Sequence, residues 1–411
     1  MLNAGRFCRA AILGISSLAL MSISAMAEPK YDTGAGDNFI RIGNIMPYSG
    51  PASAYSSAGK ALTAYFAMIN DTGGINGRKI EFISYDDGYS PAKTVEQTRR
   101  LVENDDILLV FNVLGTPSNL AIQKFLNARK IPQLFVASGA SRFGDPKQFP
   151  WTMGWQPTYY AEGLIYGRYL LEHHPDMKIG VLVQNDDFGR ELLNGLKQGL
   201  GGKAGDIVAV ESYEVTEPTI DSRVVRIKSA GADVIVNITT SKFAAQSIKK
   251  VAELGWQPVQ IVDYISSSVG GVMKPVGFQQ TQGILSASYT KDPTDAQWRE
   301  DEGVRRFEAF LAKYMPEGNR SDSLIVYGYN VAQTLVQVLR QSADDLTRAN
   351  IMKQAASLKG FVPDMVLPGV SLNTAADDYF PLKKFSMMRF EGERWKMFGG
   401  LIEANKSSDG K

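Results

Sequence analysis

Short apolar runs rich in β-branched residues alternate with longer amphipathic stretches along most of the chain. Residues 39–47 and 79–86 predict strands. The stretch between them, 54–72, predicts a helix that ends at Gly73-Gly74, a C-cap signal. The alternation continues with strands predicted at 107–113, 132–137, 178–184, 207–213, 234–238 and 259–262, and helices predicted at 90–104, 117–129, 159–173, 189–200, 222–230, 244–254, 301–314 and 323–343. A hairpin over 385–398 is predicted to turn at Glu391-Gly392-Glu393.

This strand–helix alternation predicts an α/β fold. Strands that read as near-continuous Val, Ile and Leu runs are typical of parallel sheets covered by helices on both faces. A second series of alternating strands and helices begins after residues 151–158, and a second break in the pattern follows at 286–293. We therefore predict two doubly wound parallel-sheet lobes.

The first residues predict an exported protein. Arg6 and Arg9 are followed by the apolar run 10–23 and by the small-x-small site Ala25-Met26-Ala27. This order is typical of a secretory signal peptide, here residues 1–27. The run is short for a permanent membrane helix, and polar residues follow it. We expect a cleaved leader and a periplasmic location.

Composition narrows the function classes. The only cysteine, Cys8, lies in the leader, so the mature chain is expected to have no thiol or disulfide. Removing Arg6 and Arg9 from the 44 basic residues leaves 42 against 43 acidic residues, a net charge of −1. The charges alternate in sign without a basic run, which argues against a nucleic-acid partner.

Signals for catalysis or metal binding are weak. The two histidines, His173 and His174, are adjacent at the end of a predicted helix, where neighbours do not face one another. No nucleotide-binding loop, nucleophile elbow or zinc-protease motif occurs. The acid pairs Asp86-Asp87 and Asp186-Asp187 resemble loop turns. We predict a protein that is not an enzyme, with no catalytic residues, no metal and no cofactor.

Candidate binding residues follow the predicted strands, because ligands of open parallel sheets bind beyond the carboxyl ends of strands. Gly115-Thr116-Pro117-Ser118 opens a helix, with Thr116 suited to the N-cap, and such a terminus favours a carboxylate. The next strand ends in Ser138-Gly139-Ala140-Ser141, which adds small residues and hydroxyl donors. Together the two loops could hold one carboxylate without an arginine.

Other loops offer rings and further polar groups. Tyr55 follows the first strand and could cover a ligand or pack in the core. In the second lobe, the loops at 185–189, 239–241 and 264–266 are expected to face the first lobe across a cleft. They offer the ring of Phe188, the hydroxyl of Thr240 and the ring of Tyr264, with Asp187 and Asp263 as possible carboxylates.

Four motifs carry a family resemblance: IRIGNIMPYSGP at 40–51, INDTGGINGRKI at 69–80, GTPSNLA at 115–121 and DDFGR at 186–190. With them, essentially the whole mature chain resembles the periplasmic solute-binding proteins of branched-chain amino acid ABC transporters. The resemblance implies a type I periplasmic binding protein, with two α/β lobes joined by three crossover segments. The expected N-terminal lobe comprises 38–157 and 289–371, and the C-terminal lobe 158–288 and 372–403.

The resemblance also implies a site and partners. Gly115-Thr116 and Gly139-Ala140-Ser141 would hold the ligand's carboxylate, and Tyr55 matches the family's aromatic after Ser-Gly-Pro. Phe188 stands where the family often has tyrosine. Asp263 is the nearest candidate for an ammonium-binding acid, but Tyr264 and the serines after it depart from the usual glycine-rich form.

Two ligand classes stay open: an aromatic acid such as a benzoate or phenylpropanoid, and a branched-chain amino acid. The partners implied are ABC permease subunits in the inner membrane. A ligand sensor of the same fold, signalling to a receptor or regulator, is the alternative.

Overall fold

The computed structural model describes residues 29–403. The predicted signal peptide and Cys8 lie outside the described residues. The strands are β1 (Lys30–Tyr31), β2 (Phe39–Met46), β3 (Lys79–Asp86), β4 (Leu109–Phe111), β5 (Gln133–Val136), β6 (Thr152–Gly154), β7 (Ile179–Gln184), β8 (Ile207–Tyr213), β9 (Val234–Ile238), β10 (Val259–Val262), β11 (Leu285–Ser288), β12 (Asp345–Leu346), β13 (Lys384–Glu391) and β14 (Arg394–Glu403). The helices are α1 (Ser56–Asp71), α2 (Pro91–Glu103), α3 (Thr116–Ala128), α4 (Tyr159–His173), α5 (Asp187–Leu200), α6 (Asp221–Ser229), α7 (Ser241–Glu253), α8 (Lys274–Val276), α9 (Glu302–Tyr314), α10 (Ser323–Ser342) and α11 (Arg348–Ala355). None of these helices is both long and apolar enough to cross a lipid bilayer.

The first sheet is parallel throughout and has the strand order β3-β2-β4-β5-β6. Its central strands are buried because helices cover both faces, as their apolar sequences predict. We call this sheet with its helices the first lobe. Its strands all end at the same edge, so the loops after them gather there.

The second sheet has seven strands in the order β14-β13-β11-β10-β9-β7-β8. β8, β7, β9, β10 and β11 are parallel, and the hairpin of β13 and β14 adds to β11 in the antiparallel sense. This sheet with its helices is the second lobe. The predicted α/β class with two parallel-sheet lobes is confirmed, and the C-terminal hairpin extends the second sheet.

The chain passes between the lobes after β6, after β11 and before β13. Between the second and third passages, α10 returns to pack on α1 of the first lobe. The lobe boundaries given above stay predictions.

Helices α4 and α5 approach each other at glycines. A Cβ atom placed on Gly195 of α5 would lie 2.8 Å from the carbonyl carbon of Tyr160 on α4 and closer still to its oxygen. Gly163 and Gly167 of α4 meet backbone atoms of α5 in the same way. The two helix backbones are therefore in direct contact, which leaves no room for side chains at these positions.

Candidate functional site

A cavity lies between the loops at the carboxyl edge of the first sheet and the facing loops of the second lobe. It encloses about 620 Å³ of atom-free space, including solvent at its mouth. Six of the nine predicted site residues line it: Tyr55, Gly115, Thr116, Phe188, Thr240 and Tyr264. The structure therefore brings residues from both lobes together around one space.

The cavity wall is aromatic and uncharged. Six rings contribute to it: Tyr55, Tyr89, Tyr159, Phe188, Tyr264 and Tyr327. No lysine, arginine, aspartate or glutamate of residues 29–403 belongs to the wall. A ligand here meets ring faces and edges, and its polar groups have only hydroxyl, amide and backbone partners.

The first-lobe end of the cavity is formed by the start of α3. Gly115 is the N-cap with φ +103°, and no side chain caps the helix. Thr116 is thus the first helical residue, and the predicted N-cap role of Thr116 is wrong. The reason is that the first hydrogen bond of the helix runs from the N–H of Asn119 to the carbonyl of Gly115, which makes Gly115 the N-cap. The buried Thr116 Oγ1 lies 2.7 Å from Ser138 Oγ. The uncapped N–H groups and the positive end of the helix dipole favour an anion.

Three predicted residues, Gly139, Ala140 and Ser141, lie outside the cavity wall. Ser141 N–H points instead to Glu191 of α5, with N···O distances of 2.9 and 3.0 Å to the two carboxylate oxygens. Its hydroxyl also donates to Glu191. Gly139 packs under Tyr159, whose backbone N–H donates to its carbonyl at 2.8 Å. In this loop only Ala137 reaches the wall.

Tyr55 joins the two lobes. Its hydroxyl donates to the carbonyl of Ile265 at 3.2 Å and accepts the N–H of Ser241 at 3.2 Å. Burial raises the pKa of Tyr55, so the phenol stays protonated. Ser268 adds a further bond between lobes, to Asp322 at 3.0 Å. Tyr55 therefore contributes to the wall and to closure at once.

Asp263 lies outside the wall, below the loop that carries Tyr264. Its two oxygens accept the N–H groups of Thr239 at 2.5 Å and Ser266 at 3.0 Å. It is 1% exposed. It caps the turn at 264–266, and both of its oxygens accept hydrogen bonds from backbone N–H groups of the second lobe.

Glu162 of α4 holds the same loop from the other side. Its Oε1 accepts the N–H of Tyr264 at 2.6 Å and the hydroxyl of Tyr166 at 2.8 Å. Burial raises the pKa of Glu162, and burial followed by repulsion from Glu162 raises the pKa of Asp263. Two buried acids thus support the second-lobe wall.

We expect Glu162→Gln to change the pH dependence of stability. Because the folded-state pKa is raised, folded protein retains a proton that unfolded protein releases above about pH 4.3. The contribution of Glu162 to wild-type stability should therefore fall as pH rises from about 5 to 8. The isosteric amide lacks this contribution and keeps only that of Asp263, so its stability should depend less steeply on pH. The variant should be more stable than wild type at pH 8 by roughly 1–3 kcal/mol and nearly equal at pH 5.

Urea unfolding at several pH values measures this difference. Glu172→Gln, on the exposed end of the same helix, is the matched control and should follow wild type. Identical slopes for Glu162→Gln and wild type would contradict the expectation.

Sequence reasoning missed several wall residues. Gln156 and Tyr159 follow β6, a strand of only three residues that has no apolar run by which it could be predicted. Ser323, Leu324 and Tyr327 come from α10, far away along the chain. These residues reach the wall because β6 pairs with β5 and because α10 packs on the first lobe. Both arrangements depend on tertiary packing, which leaves no local pattern in the sequence.

The fold and the cavity define a protein that binds a small ligand between two lobes. The chain belongs to the periplasmic binding protein family, whose sequence profile matches residues 40–392. This confirms the resemblance seen in the four motifs. It is a family of binding proteins, and membership implies a periplasmic location.

Relatives and solved structures agree with this assignment. The chain is 22% identical over 335 residues to Leu/Ile/Val-binding protein homolog 1 of Brucella abortus, covering 79% of this chain and 85% of that one. A branched-chain amino acid ABC transporter protein from Thermus thermophilus, solved with bound valine, matches with a TM-score of 0.81 and 18% identity, covering 90% and 97% of the two chains. A solute-binding protein from R. palustris, solved with benzoate, matches with a TM-score of 0.74 and 19% identity, covering 88% and 96%.

Proposed function

We propose that this protein is the substrate-binding component of an ABC importer and that it captures a small aromatic carboxylic acid between its lobes. The observation that carries the proposal is the cavity wall, where an uncapped helix N-terminus faces six aromatic rings. A carboxylate suits the helix terminus, and an aromatic body suits the rings.

The uncharged wall favours an acid without an amine. A branched-chain amino acid carries an ammonium, and burying an ammonium without an acidic partner is costly. Asp263 and Glu162 each accept two hydrogen bonds from their own surroundings and lie outside the wall. Branched-chain amino acids are therefore the second candidate class, favoured by the relatives' names alone.

The proposal has two further parts. The protein delivers its ligand to permease subunits, and it is itself exported, with cleavage of its leader after Ala27. Support comes from the ABC transporter proteins among the structural neighbours and from the leader-like pattern of residues 1–27. Ligand binding favours the closed arrangement because both lobes contact the ligand only when closed. A permease would then recognise that arrangement.

The test is a binding screen on the mature protein, residues 28–411, refolded to remove carried-over ligand. Benzoate, hydroxybenzoates, cinnamate, 4-coumarate, leucine, isoleucine and valine are compared by thermal shift and calorimetry, because a ligand of the native state raises the melting temperature. Shifts with aromatic acids support the proposal. Shifts with the amino acids alone contradict the ligand class and support the second candidate.

We expect Thr116→Val to weaken binding of the tightest acid by roughly 1–3 kcal/mol, because a ligand oxygen loses a hydroxyl partner at the start of α3. Calorimetry measures the change. Thr98→Val is the matched control, since Thr98 is buried on α2 and its hydroxyl donates to the carbonyl of Thr94, away from the cavity. Equal affinities for Thr116→Val and the control would contradict a carboxylate site at α3.

A further inference from the structure

Gln156 is a buried amide that faces the cavity without a hydrogen-bond partner. It follows β6, belongs to the cavity wall and is 5% exposed. Its side chain makes no hydrogen bond to any group of residues 29–403. The side chains of two other buried glutamines, Gln133 and Gln184, are both hydrogen-bonded. Since an unpaired buried amide costs free energy, Gln156 is suited to pair with a group on the ligand.

The sheet order places Gln156 away from the start of α3. Thr116 follows β4, Ala137 follows β5 and Gln156 follows β6, and these three strands are neighbours in the first sheet. Two strand spacings correspond to about 10 Å. One ligand that reaches both positions therefore needs polar groups at its two ends.

The chemistry of the Gln156 amide indicates which kind of polar group the ligand carries at its second end. A carboxamide donates through its nitrogen and accepts through its oxygen, so it pairs with a neutral hydroxyl in either sense.

We propose that Gln156 is a specificity-determining residue and that the ligand is an aromatic acid with a hydroxyl on the ring, away from its carboxylate. The carboxylate binds at the start of α3, the ring lies among the aromatic side chains, and the hydroxyl pairs with Gln156. This inference rests on the proposed function, because it takes an aromatic acid as the ligand.

The test compares matched ligands on matched variants by calorimetry. Benzoate, 3-hydroxybenzoate and 4-hydroxybenzoate, and the pair cinnamate and 4-coumarate, are titrated into wild type, Gln156→Met and Gln97→Met. Methionine keeps the unbranched shape and removes the amide donor and acceptor. Gln97, half-buried on α2 and outside the wall, controls for the substitution itself.

Wild type should bind at least one hydroxylated acid about tenfold more tightly than its unsubstituted parent, and Gln156→Met should lose that preference and bind the two acids with similar affinity. Gln97→Met should behave as wild type. Equal affinity of wild type for parent and hydroxylated acids would overturn the inference while leaving the proposed function intact. An equal loss for both acids in Gln156→Met would overturn it too, because Gln156 would then bind the carboxylate. If no aromatic acid binds wild type, the proposed function itself fails.

Discussion

Gly195→Ala should lose 3 kcal/mol or more of its free energy of unfolding, roughly, because the new methyl group overlaps the backbone of α4. The Cβ would lie 2.8 Å from the carbonyl carbon of Tyr160 and 3.0 Å from the N of Leu164. Neither atom can rotate away as a side chain would. Relief requires the two helices to separate, which also moves Tyr159 and Phe188 at their starts, and both rings line the cavity.

Urea unfolding of the Gly195→Ala protein measures the loss. Gly202→Ala is the matched control, since no atom lies within 4 Å of a Cβ at Gly202, which follows the same helix. The control should stay within about 0.5 kcal/mol of wild type. A Gly195 variant as stable as the control would show that α4 and α5 are not packed backbone to backbone.

Gly115→Ala should weaken ligand binding by roughly tenfold or more and should also lower the stability of the protein moderately. A Cβ there would lie 2.6 Å from the ring of Tyr89, in a buried position at the start of α3. Both Gly115 and Tyr89 line the cavity, so the substitution pushes the ring or the helix start into the ligand's space.

Gly73→Ala separates backbone strain from this steric effect. Gly73 has the same φ of +103° as Gly115, yet no atom lies within 4 Å of its Cβ position. The Gly73→Ala variant should lose about 1–2 kcal/mol of stability because of the backbone strain, and its affinity for the ligand should be unchanged. Calorimetry with the tightest acid of the panel, together with urea unfolding, distinguishes the two. Unchanged affinity in Gly115→Ala would remove the start of α3 from the site.

Long periodic segments could be predicted from the sequence because burial determines their pattern. The helix at Tyr159–His173 and the strands at Val234–Ile238 and Val259–Val262 have their predicted bounds. The strands β6 and β11 were not predicted. β11 reads Leu-Ser-Ala-Ser, and it becomes a strand because β10 and β13 supply neighbours on both sides.

The site could be predicted in part for a similar reason. Strand ends locate loops, so Tyr55, Thr116, Phe188 and Thr240 were accessible to sequence reasoning. Loop direction was not accessible. After β5 the chain turns into a short 3₁₀ segment at Ser141–Gly144, which carries Ser141 towards Glu191 and away from Thr116.

The bonds between the lobes have a consequence for discrimination between ligands. Tyr55 with Ile265 and Ser241, and Ser268 with Asp322, are bonds between the protein's own groups. They lower the free energy of the closed form by the same amount whichever molecule is bound, and so they multiply every affinity by one common factor. Selectivity is a difference of affinities, in which a common factor cancels. Substitutions at Ser268, which lies outside the wall, should therefore shift all dissociation constants in parallel. Tyr55 also belongs to the wall, so a change in its hydroxyl can alter the ranking of ligands as well.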